Sequence, residues 1–102
     1  MLSIRMDRYT GIDDLFDMPS LDERMKGLAK RLQAYRKKMS LTQVQLAERS
    51  GVSYGSIKRF ERSGDISLWG LWQICTVLEC SDQLDSLFTK RKLTAEDIRN
   101  GR

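Results

Sequence analysis

At 102 residues the chain has room for one domain of roughly 60 to 100 residues plus short tails, which excludes a multidomain machine. Histidine is absent, the two cysteines stand as Cys75-x4-Cys80, and no acidic pair sits in a recognisable catalytic motif, so metal, acid–base and nucleophile schemes lack their residues and no enzyme is expected. The 18 basic and 14 acidic side chains leave +4, but they segregate: residues 21–63 hold eleven basic and four acidic side chains, residues 64–88 none and four.

A basic stretch beside an acidic one suits either a polyanion-binding face with a non-binding back or an ordinary solvated helix surface. No run of roughly 18 apolar residues occurs, so no membrane partner is expected. Two cysteines without a leader segment fit a reducing cytosol, hence a soluble cytoplasmic protein. There Cys75 is a small core hydrophobe in preference to a redox centre.

In chain order, residues 1–20 carry Gly11 and Pro19 without sustained periodicity and read as an arm, with one helical turn where Ile12, Leu15 and Phe16 share a face. Ser20-Leu21-Asp22-Glu23 has the capping-box spacing and opens a helix. Leu21, Met25, Leu28, Leu32, Tyr35 and Met39 then recur at intervals of four and three, a stripe expected to be core. Thr42 to Gln45 repeats the capping pattern before a short helix with Leu46 and Ala47 inside, which Ser50-Gly51 stops. Ser53 caps a second short helix over about Tyr54 to Arg62. A fourth helix, capped by Ser67, is expected to bury Leu68, Leu71, Trp72, Cys75 and Leu78; a fifth runs from Ser81-Asp82 to near Phe88. Residues 89–102 form a basic tail in which Thr94 and Asp97 could cap one more short helix. No strand is predicted. The organisation expected is therefore an arm (1–20), a domain (21–88) and a basic tail (89–102).

Leu41-Thr42-Gln43 before Leu46-Ala47-Glu48, the turn Ser50-Gly51-Val52-Ser53, and Ile57 with Phe60-Glu61 fall on a helix-turn-helix grid. Over residues 28–88 the chain resembles the Xre-type, or Cro/repressor-like, helix-turn-helix DNA-binding proteins. Packing accounts for a small Ala47, a turning Gly51, and Leu46, Val52, Ile57 and Phe60 between the two short helices. It does not account for Tyr54, Gly55, Lys58, Arg59 and Arg62, a face without aliphatic residues that either reads DNA or is simply solvated. The resemblance implies an all-α, five-helix lambda-repressor-like fold that lays the second short helix in the major groove. Base contacts then fall to Tyr54, Lys58 and Arg59, with Gly55, where the family has a polar reader, giving the backbone close approach.

Phosphate contacts are implied for Gln43, at a helix N-terminus, and for Ser53, Ser56 and Arg62. Thr42 is a cap first and a phosphate ligand second, and Lys37 and Lys38 serve the DNA backbone or solvent. The family also joins the positions of Arg36 and Glu61 by an ion pair. It dimerises on near-palindromic operators, and that contact maps here to Leu84, Leu87 and Phe88, which could equally be internal core. Trp69 is hard to bury beside Trp72 and marks a contact with the arm, a second subunit or another protein. Ile66, where many members have a loop proline, resembles HipB-type antitoxins, which repress their own operon and bind a HipA-like kinase toxin. The function expected is a sequence-specific transcriptional regulator, a repressor or autorepressor, with that antitoxin role or a DNA-independent adaptor role as alternatives. No cofactor and no metal are expected.

Overall fold

The computed structural model describes residues 18–90, and these contain five helices: α1 (Leu21–Lys38), α2 (Gln43–Ser50), α3 (Tyr54–Ser63), α4 (Leu68–Val77) and α5 (Ser81–Asp85). The expected turn at Ile12 to Phe16 and the tail helix at Thr94 to Ile98 lie outside the described residues. Among the described residues no helix is long and apolar enough to cross a membrane.

Local chemistry fixes most helix ends. The Ser20 backbone N–H donates to Glu23 Oε1 at 2.8 Å and the Glu23 N–H to Ser20 Oγ at 3.1 Å, a complete capping box. Asp22 and Glu23 stand at the positive end of the α1 dipole, and Arg36, Lys37 and Lys38 at the negative end. Thr42 and Gln45 build a second box at 2.9 and 3.0 Å. Ser53 and Ser67 each accept from the N–H three residues on, those of Ser56 and Gly70. α2 and α3 end on left-handed glycines, Gly51 at φ 76° and Gly64 at φ 82°.

The helices pack α1 on α3, α2 on α3 and α4, and α4 on α5. Ala29, Leu32, Leu41, Leu46, Ile57, Phe60, Ile74, Cys75, Leu78 and Cys80 form one buried cluster, with Ala47, Val52, Ile66 and Leu84 packed against it. Phe60 is its largest fully buried side chain, and truncation to alanine would cost about 4 kcal/mol.

Three expectations about burial and length need correction. The α1 stripe is core only in its middle: Leu32 is buried and Leu28 half-buried, but Leu21 is 74% exposed, and Met25, Tyr35 and Met39 are exposed as well. The buried residues of α1 are Ala29, Leu32 and Arg36, because α3 crosses there; close crossing needs a small side chain at the contact, and Arg36 has a partner on α3. Leu68, expected inside, is 66% exposed at the first turn of α4, whereas Gly70 and Ile74 are buried. α5 stops at Asp85 and lacks a side-chain cap, and Phe88 adopts φ 61° beyond it. Both cysteines are free and buried, and burial, with Cys80 beside it, pushes the Cys75 thiol up to about 12.

Candidate nucleic-acid interface

Amphipathicity decides what α3 can present. Ile57 and Phe60 are buried, so the residues about half a turn away, Tyr54, Gly55, Lys58, Arg59 and Arg62, all face solvent on one side. No atom lies within 4 Å of the position a Gly55 Cβ would occupy, so the first turn of α3 offers bare backbone there. Lys58 Nζ sits over the Tyr54 ring, 4.9 Å from its centroid, a cation–π contact one turn apart. Arg59 Nη2 lies 2.8 Å from Asp65 Oδ2, with both side chains more than half exposed. Two candidate readers are thus oriented within α3, and a third is tied to a carboxylate from the following loop.

Behind this face, one network fixes α3 against α1 and α2. Arg36 Nε donates to Glu61 Oε2 at 2.7 Å and Arg36 Nη2 to Glu61 Oε1 at 3.0 Å, a fork that suits a planar guanidinium. Arg36 Nη1 donates to the Leu41 carbonyl at 2.7 Å, so the loop before α2 is held too. Gln33 and Gln43 add amide hydrogen bonds to Glu61 Oε1 at 3.1 and 2.9 Å. The Arg36 and Glu61 side chains are only 9% and 5% exposed. Burial pushes the Glu61 carboxyl up, but hydrogen bonds from Arg36 and Gln43, the guanidinium charge and Gln33 outweigh it and hold it below the ordinary carboxylate range. No buried side-chain polar atom lacks a partner among the described residues.

Gln43 therefore spends one amide hydrogen on Glu61, while its backbone N–H stays in the first turn of α2, where an anion is favoured. Thr42 is exposed and occupied as a cap. Ser53 Oγ donates to Ser56 Oγ at 2.8 Å, so these two hydroxyls form one polar pair at the start of α3. Ser53, Ser56 and Arg59 line a groove of about 330 Å³ whose other wall comes from the α3–α4 loop and the first turn of α4, including Ser67 and Trp69. Lys37 and Lys38 are exposed on the last turn of α1, outside that groove. Leu84 is half-buried against the core, whereas Leu87 is 50% and Phe88 93% exposed.

Three participants are not visible in the one-dimensional pattern. Asp65 pairs with Arg59, and its only signal was a lone acid just past a basic helix. Gln33 braces Glu61 from 28 residues away. Gln73 of α4 donates to the Ser50 carbonyl at 3.1 Å and so ties the turn between α2 and α3 to the rest of the fold.

A family model described as helix-turn-helix matches residues 32–83, about half of the chain and the whole of α2, α3 and α4. No curated protein and no solved structure matches the chain.

Proposed function

This chain belongs to the helix-turn-helix family of the Xre/Cro type, a DNA-binding regulatory fold, and from that premise we propose that it is a sequence-specific repressor that inserts α3 into the major groove of an operator. The observation that carries this reading is the solvent face of α3, where Tyr54, Gly55, Lys58, Arg59 and Arg62 stand opposite Ile57 and Phe60 with no aliphatic side chain among them. Tyr54, Lys58 and Arg59 contact base edges, and Gly55 lets the helix backbone approach. Gln43, Ser53, Ser56 and Arg62 hold phosphates on the flanks, with Thr42, Lys37 and Lys38 at the margin. The Arg36–Glu61 fork keeps α1 and α3 in register, so that the reading helix meets DNA already oriented.

One such domain spans only a few base pairs, and a homodimer on a near-palindromic site supplies the rest. Leu87 and Phe88, exposed apolar side chains beyond α5, are its contact, with Leu84 behind them. A HipB-type antitoxin, with a HipA-like toxin as second partner, is the variant favoured by Ile66, which is half-buried against the core where a loop proline is common. Co-purification with the product of an adjacent kinase-like gene tests it.

The DNA reading is tested by fluorescence anisotropy with duplex from upstream of the chain's own gene and with a scrambled duplex, over a salt series. The expected result is a preference of roughly 10³-fold or more with a steep salt dependence, lost in Arg59→Ala. Equal weak binding to both duplexes, unchanged by Lys58→Ala and Arg59→Ala, would favour an adaptor that keeps the fold without reading DNA.

A further inference from the structure

The fold treats the two tryptophans of α4 differently. Trp72 is half-buried and spends its indole N–H on Asp85 Oδ1 at 3.3 Å. Trp69 is 76% exposed, and its N–H has no hydrogen-bond partner among the described residues. An indole left in water on a small domain is a large amphipathic surface awaiting a partner with an apolar face and an acceptor.

Trp69 stands between two surfaces. On one side it lines the same groove as Ser53, Ser56, Arg59 and Asp65, so it continues the α3 surface assigned to DNA, around the rim formed by the α3–α4 loop; on the other it lines an apolar hollow with Leu68 and Trp72. A protein partner with an apolar face would have to desolvate the serine hydroxyls and the Arg59–Asp65 pair in the same groove. A nucleotide backbone keeps the donors hydrogen-bonded, because deoxyribose supplies C–H surface for the ring while phosphate oxygens accept from the indole N–H, the hydroxyls and Arg59; its cost is the Asp65 carboxylate, which lines the same groove and repels phosphate.

We propose that Trp69 is a DNA-contacting residue whose ring packs on a deoxyribose beside the major groove and whose N–H donates to the adjoining phosphate. The contact sets the angle at which α3 enters the groove, since Trp69 and Arg59 grip the backbone and the bases from two different helices. This inference rests on the DNA-binding reading, and its test keeps the two apart.

The full-length chain is titrated with a labelled mixed-sequence duplex at low salt, reading DNA anisotropy and, in parallel, acrylamide quenching of tryptophan. Wild type, Trp69→Phe and Trp69→Ala are compared, with far-UV circular dichroism and thermal melts confirming that both variants fold. Binding is expected to shield one indole in the wild type, and Trp69→Phe is expected to lose that shielding. Trp69→Ala should weaken binding roughly tenfold, the scale of one lost aromatic contact, with Trp69→Phe intermediate because it keeps a ring but no donor. Normal anisotropy with Trp69 still fully accessible, or wild-type affinity in Trp69→Ala, overturns the inference and leaves DNA binding intact. Shielding that grows with protein concentration in the absence of DNA overturns it in favour of a second copy on this face. A wild-type chain that moves no duplex at all overturns the DNA-binding reading, and this inference with it.

Discussion

Arg59 reaches the reading face with its charge already engaged by Asp65 at 2.8 Å, in a pair open to solvent on both sides. Such a pair adds little stability, roughly 0 to 1 kcal/mol, but its carboxylate competes with DNA for the guanidinium and repels phosphate. Asp65→Asn should therefore leave the melting temperature nearly unchanged and tighten DNA binding roughly fivefold at low salt, an effect that fades as salt rises; weaker binding would mean that Asp65 positions Arg59 and does not compete for it. Glu61 is the opposite case, a carboxylate inside the fold that accepts from Arg36, Gln33 and Gln43. Its pKa lies below the ordinary 4.5, so the stability it confers is complete above that value and drains away as pH falls through the folded-state pKa. Glu61→Gln should cost about 3 kcal/mol at pH 7, because Arg36 stays buried without its counter-charge. In urea unfolding from pH 7 to pH 3 the variant should lose less than wild type. Some acid sensitivity should remain, because Glu23 is held low by hydrogen bonds from the Ser20 backbone and side chain.

The elements differ in how far their own residues specify them. Capping at Ser20, Thr42, Ser53 and Ser67 is carried by side chains three residues from their partners, so four helix starts were legible from local spacing alone. The glycines are less alike than they look in sequence. Gly64 ends α3 at φ 82°, and a Cβ there would stand 2.5 Å from the Met25 carbonyl oxygen of α1. Gly64→Ala combines a left-handed penalty with a backbone clash and should cost about 3 kcal/mol, against about 1 kcal/mol for Gly51→Ala, where the nearest atom is 3.8 Å away. Gly55 is in open space within α3, and Gly55→Ala should raise stability by about 0.5 kcal/mol. Urea midpoints order the three variants. If Gly55→Ala is more stable yet binds operator less well, the bare backbone touches DNA; unchanged affinity would show that it does not.

At the scale of the whole molecule, charge and apolar surface fall on different parts. The basic residues of α3 stand on one solvent face, while residues 64–88 contain four acidic side chains and no basic one, with exposed Leu87 and Phe88 at their end. If that end is the dimer contact, Phe88→Ser should shift sedimentation toward the monomer and weaken operator binding at least tenfold, while binding to random duplex changes little. A monomeric wild type with full operator affinity would rule the contact out. Cys75, with its thiol pushed up to about 12, should resist alkylation at neutral pH until the chain unfolds, which gives a chemical measure of global opening.

The sequence by itself determined the helix starts, the glycine stops, the helix-turn-helix grid and the seam of Leu46, Ile57 and Phe60, because each depends on residues a few positions apart and on the helical repeat. Which line of α1 is buried, what holds Gln43, where Asp65 reaches and which groove Trp69 lines were decided only in three dimensions. α1 shows a clean apolar stripe from Leu21 to Met39, yet of that stripe only Leu32 is buried, because the crossing of α3 at Ala29 and the pull of Glu61 on Arg36 turn the neighbouring line inward. The contacts that hold α1 and Gln43 to Glu61 join residues 18 to 28 positions apart, and no local spacing encodes which of two nearly equivalent helix faces a distant helix will cover.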